Sequence, residues 1–116
     1  MPIIIVQDSV PLDDVKKLAL EWYGSMIKGV VDIEREIIAL GGEFHMDANQ
    51  VLMDDGSAQS DVWGFNLEFS EPRERWIVYR SLINIRPALG NRSMFVIDPR
   101  LQEKMRDIIE KRISSL

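Results

Sequence analysis

The sequence predicts an α+β fold: an antiparallel β-sheet with an N-terminal and a C-terminal helix packed on one face, in a single domain spanning residues 1–116. Two observations carry that expectation. Apolar residues recur at helical spacing near both ends, and the stretch between them is dominated by alternating runs broken by Gly, Pro and Asp. The chain has 116 residues, 46% of them hydrophobic, with three Trp, four Phe and two Tyr, so it can build a core and is not intrinsically disordered.

Ile3–Val6 is a continuous β-branched run, which reads as a short strand covered on both faces. Pro11 suits the first turn of a helix, and Asp13 and Asp14 fall near its positive end. Leu12, Val15, Leu18, Ala19, Trp22 and Met26 then form one stripe, predicting a helix over about residues 11–23 that weakens at Gly24. Residues 28–53 admit two readings. As strands, Val31, Ile33, Ile37 and Ala39 share one face, Gly41-Gly42 makes a two-residue hairpin turn, and Phe44, Met46 and Ala48 continue the apolar side. Only Arg35 spoils that pattern. As a helix, Ile27, Val30, Val31, Ile37 and Ile38 share a face, Glu34 spoils it, and Gly41 is the C-cap. The hairpin is carried forward.

Residues 62–69 alternate cleanly, with Trp63, Phe65, Leu67 and Phe69 inward. Residues 76–86 read as a further strand stopped by Pro87, and a Gly90–Ser93 loop leads into Met94–Ile97. Asp98-Pro99 opens a final helix as N-cap and first helical residue, with Leu101, Met105, Ile108, Ile109 and Ile113 as its buried stripe.

Composition excludes several chemistries. With no Cys there is no disulfide framework, thiol nucleophile or thiolate zinc site. No window approaches the roughly 18 apolar residues of a membrane span, and Ile3–Val6 is too short for a signal peptide. A cytoplasmic protein with no membrane partner is expected. The formal net charge is −5, which argues against nucleic-acid binding. That figure conceals a polarity: residues 1–71 hold 4 Lys+Arg against 14 Asp+Glu, or −10, and residues 72–116 hold 10 against 5, or +5.

Two constellations have chemical meaning. In the hairpin register, Ile38 faces His45, Glu36 faces Asp47 and Glu34 faces Asn49. Opposed carboxylates repel unless a cation sits between them, so Glu36, His45 and Asp47 form a candidate site for divalent Mn²⁺ or Mg²⁺. The same three residues, with Arg86, are the candidate catalytic groups of an acid/base site. The plainer reading is a solvated sheet face whose acids an Arg neutralises. The second constellation is Asn84, Arg86, Asn91, Arg92 and Ser93, a candidate site for an anionic small molecule, because an Arg fork matches carboxylate or phosphate. The plainer reading there is that Arg86 pairs with the acidic face and Asn91 supplies a left-handed turn position. In the last helix Asp107 and Lys111 are spaced to pair.

The segments Gly41-Gly42-Glu43-Phe44-His45-Met46-Asp47, Asp55-Gly56-Ser57, Trp63-Gly64-Phe65-Asn66, Asn84-Ile85-Arg86-Pro87 and Gly90-Asn91-Arg92-Ser93-Met94 resemble a small prokaryotic family known only as a domain of unknown function. The likeness runs over nearly the whole chain and implies a single-domain cytoplasmic protein, with no activity or site residue to carry over. Two functions therefore remain in view. One is a non-catalytic interaction or oligomerisation module that associates with itself. The other is a small enzyme or ligand-binding domain that uses the His-containing acidic face and the Arg/Asn loop to hold a metal or an anion.

Overall fold

In the computed structural model, which describes residues 2–116, ten main elements follow one another along the chain. They are β1 (Ile4–Val6), β2 (Val10–Pro11), α1 (Leu12–Trp22), β3 (Met26–Asp32), β4 (Ile37–Leu40), α2 (His45–Asp54), β5 (Val62–Glu68), β6 (Ile77–Val78), α3 (Pro99–Arg112) and β7 (Ile113–Ser114). The main sheet has the order β1-β4-β3-β5-β6 with every pairing antiparallel, and β2 and β7 make a separate parallel pair. The fold is α+β, as the sequence predicts.

Alternation along the strands sorts the core into two clusters. Ile27, Val31, Ile38, Leu40, Trp63, Phe65 and Leu67 pack with Leu12, Val15, Leu18 and Ala19 of α1 and with Met105, Ile108 and Ile109 of α3. Val30, Ile37, Ala39 and Val62 point the other way and pack with Ala48 and Leu52 of α2. The sheet is thus covered on both sides, and a third helix completes the packing that two helices on one face leave open. All four residues of β4 are buried, as a strand between two layers requires.

The expected hairpin through Gly41-Gly42 does not form; residues 26–40 fold back on themselves as a different one. Val31 pairs with Ile38 and Asp32 with Ile37, so the chain reverses at residues 33–36 and not at Gly41-Gly42. Asp32 drives the reversal: its Oδ1 accepts from the backbone N–H groups of Glu34 and Arg35, both at 2.9 Å, and Glu36 takes φ 55°. Gly41 and Gly42 instead link β4 to α2. At Gly41 φ is 115°, and a Cβ would lie 2.9 Å from Pro2 O and from Trp22 Nε1.

Residues 45–54 are helical, which corrects the expected second hairpin strand. His45, Ala48, Asn49 and Leu52 are its buried stripe, and Phe44 and Met46, read as inward-facing, are exposed. Asp47 accepts from the Phe44 N–H at 2.9 Å, tying down the helix start. Met26 opens β3 and does not belong to the α1 stripe.

The expected strand 76–86 survives only as Ile77–Val78. Beyond it the chain leaves the ladder through a 3₁₀ turn at Leu82–Asn84, and side chains close the edge of β5 in its place. The Asn84 amide accepts from Gly64 N–H (2.8 Å) and donates to Gly64 O (3.0 Å), as a neighbouring strand would. Two positions along, Arg86 donates to Val62 O. Gly64 is required here, since a Cβ would sit 2.5 Å from Ser81 Cβ. Met94–Ile97 is not a strand, although Phe95 bridges to Arg80 and Val96 N donates to Tyr79 O. The final helix starts as expected, with Asp98 Oδ1 accepting from Arg100 N–H at 2.9 Å.

Candidate functional site

The corrected hairpin separates the acidic constellation. Glu36 sits on the β3–β4 turn, where Lys111 Nζ approaches its carboxylate at 3.7 Å, whereas His45 and Asp47 lie on the first turn of α2. Glu36 therefore no longer faces Asp47 across a ladder. Among the described residues, no three His, Asp or Glu side chains come together as a metal-holding group, so the premise for Mn²⁺ or Mg²⁺ at Glu36, His45 and Asp47 is lost.

The Asn/Arg constellation does come together, as a structural knot. Asn84 is fully buried, and its amide also donates to Met94 O (3.2 Å). Asn91 donates to the carbonyls of Asn84, Ser93 and Phe95 at 2.8–2.9 Å and accepts from Ile97 N–H, so both amides are spent on backbone. The left-handed position expected at Asn91 falls on Gly90. Ser93 Oγ accepts from Phe95 N–H, and Arg92 is exposed. Arg86 does not meet the acidic face; its guanidinium stacks 4.7 Å over the Trp63 ring, and burial lowers its pKa below the usual range. Its Nη1 is sealed without a partner.

A different place gathers free chemistry. A cleft of about 320 Å³ opens between the start of α2, the segment 80–83 and Met94. Its floor is the sheet. Lys28 of β3 pairs in register with Asn66 of β5, so their side chains rise together on the side covered by α2. His45 and Arg80 line the cleft with them, and Met26, Met94 and Ile83 supply apolar surface. Among the described residues, no Asp or Glu lines this cleft. Another cleft, lined by Arg73, Tyr79 and Arg106, contains Glu74 and Glu110 as well, and Arg106 is paired with Glu110 at 2.9 Å. Cations are balanced there and unbalanced here.

The local chemistry is specific. Lys28 Nζ lies 5.2 Å from the Tyr23 ring centroid and 5.6 Å from that of Phe44, so two aromatic faces hold the ammonium without neutralising it. Arg80 is held 5.7 Å over the Phe95 ring. His45 Nε2 lies 2.8 Å from Phe65 O, which only accepts, so Nε2 carries the hydrogen and Nδ1 is the bare nitrogen of the neutral ring. Burial pushes the His45 pKa below 6.5, opposed by the Phe65 hydrogen bond, reinforced by the charge on Lys28 and opposed by Asn66. Asn66 Oδ1 is buried and has no donor. Phe44, Met46 and Leu82, at 61, 53 and 73% exposure, extend the apolar surface outward from the rim.

Of the predicted site residues, only His45 lies in this cleft. Lys28, Asn66 and Arg80 escaped sequence reasoning, since each reads as an ordinary polar residue of a strand. The usable signal was that Lys28 and Asn66 fall on the polar side of two neighbouring strands.

Fold and cleft together define a small α+β protein with a cationic, part-apolar recess on one side of its sheet. Sequence comparison matches residues 4–112 to a family described as "Protein of unknown function (DUF5674)", and the chain belongs to that family. No curated protein and no solved structure matches it. No helix among the described residues is long and apolar enough to cross a membrane.

Proposed function

We propose that the protein is a non-catalytic binding module whose cleft takes an anionic ligand bearing an apolar group. The observation that carries this reading is the pair Lys28 and Arg80 in a cleft that no described Asp or Glu lines. Uncompensated cations beside methionine and isoleucine surface favour a molecule with a charged head and an apolar body. An enzyme reading has less support. Asp47, the carboxylate nearest His45 in sequence, is committed to the Phe44 amide.

Calorimetric titration with octane-1-sulfonate tests the proposal, with 1-octanol as the neutral counterpart. The sulfonate is expected to bind saturably at one site and the alcohol to bind far more weakly. Lys28→Met and Arg80→Met should each weaken the sulfonate about five- to tenfold, in line with loss of one charge-assisted contact. Equal binding of both probes, or binding indifferent to both substitutions, overturns it.

Self-association is the second reading, favoured by the exposure of Phe44, Met46 and Leu82 on one rim. Sedimentation that shows a concentration-dependent dimer, abolished by Leu82→Glu, would put a second copy on this surface in place of a small ligand.

A further inference from the structure

We propose that the cleft takes up a proton together with its anion, His45 becoming a third positive charge beside Lys28 and Arg80. The proposal rests on the binding reading above and adds its regulation. The geometry supplies both halves of the linkage. The Phe65 carbonyl fixes the hydrogen on Nε2, so the next proton goes to Nδ1. The Asn66 side chain lines the same cleft as the ring and favours its protonated form. Its Oδ1, buried without a donor, is an acceptor waiting for one.

Two groups oppose that proton while the cleft is empty: the burial of the ring and the neighbouring Lys28 ammonium. An anion seated between Lys28 and Arg80 offsets both by placing negative charge beside the ring. The charged groups around His45 are few. β3 presents Lys28 and the 80–83 segment presents Arg80, whereas β5 presents the neutral Asn66. Asp47, on the same helix as His45, is turned back onto the Phe44 amide. No carboxylate among the lining residues is placed to take the proton in place of His45. Because binding linkage is reciprocal, whatever factor the anion adds to proton affinity the proton adds to anion affinity.

Octane-1-sulfonate is the suitable probe, since its own charge does not change near neutrality. Calorimetry on the full chain is expected to show binding about tenfold tighter near pH 6 than near pH 8.5, the effect of one added charge in a half-buried cleft. Repeating the titration in two buffers of different ionisation enthalpy should show net proton uptake on binding. His45→Gln should abolish both the proton uptake and the pH dependence of the affinity. Binding that is pH-independent, or a pH dependence that persists in His45→Gln, overturns the proposal and leaves the binding reading standing. Loss of saturable binding at both pH values sinks the binding reading itself. Should His45→Gln fail to fold, an NMR titration of the wild-type chain decides. His45 is the only histidine, so its ring signals are unambiguous, and its pKa must rise when the sulfonate is present. An unmoved pKa overturns the proposal.

Discussion

Asn84 stands where a strand is missing. Its single amide serves Gly64 N–H and Gly64 O, backbone groups that β6 is too short to reach, and donates to Met94 O as well. Asn84→Ala should therefore cost about 3 kcal/mol by chemical denaturation, since it leaves buried backbone groups unpaired. Gly64→Ala should also destabilise, by about 1–3 kcal/mol, because its Cβ meets Ser81 Cβ at 2.5 Å. His45 makes a prediction of opposite flavour. Its folded pKa lies below the ordinary 6.5, so beneath that pH the unfolded chain binds more protons than the folded one. The stability tied to its neutral ring is complete above about pH 6.5 and declines as pH falls towards the folded pKa. Melting temperatures measured from pH 8 to pH 5 should show this decline, and His45→Gln should flatten it.

At the scale of elements, legibility followed how openly each element displayed its period. β5 and α3 could be read directly, because Trp63-Phe65-Leu67 alternates without a fault and Asp98-Pro99 marks a helix start in two residues. The α2 stripe was hidden. His45, Ala48, Asn49 and Leu52 have perfect helical spacing, but half of them are polar, so a hydrophobic pattern search sees the misleading alternation of Phe44, Met46 and Ala48. Asn49 is buried because Gln59 exchanges two amide hydrogen bonds with it, a partner no local reading supplies. The misplaced turn had a visible clue. Arg35 was the one residue that broke strand alternation, and it lies in the turn that Asp32 caps, joined to Asp55 at 2.7 Å. Asp32→Ala should cost about 2 kcal/mol in a denaturation experiment, since two turn amides lose their acceptor. Asp98→Ala should cost about 1 kcal/mol, the worth of an N-cap. In the same helix the spacing of Asp107 and Lys111 misled: Arg106 pairs with Glu110, and Lys111 reaches across to Glu36.

Over the whole molecule, the charge polarity read from the sequence is met inside the chain at one place. The basic end of α3 folds onto the acidic first half: Lys111 meets the Glu36 carboxylate, and Arg112 donates to Glu36 O (2.7 Å) and Asp8 O (2.9 Å). What sequence alone could not show is which charges remain unanswered. Lys28 belongs to the acidic half and Arg80 to the basic half, and only the β3–β5 register and the departure of the chain from β6 bring them to one cleft. A candidate site built from residues 28, 45, 66 and 80 has no linear motif, and three of its four members become visible only in the fold. An NMR titration of the labelled protein with octane-1-sulfonate reads that central claim directly. The account predicts saturable shifts concentrated at the amides of Lys28, His45, Asn66, Arg80–Ile83 and Met94. Shifts centred instead on Arg73, Tyr79 and Arg106, or no saturable shifts at all, would contradict it.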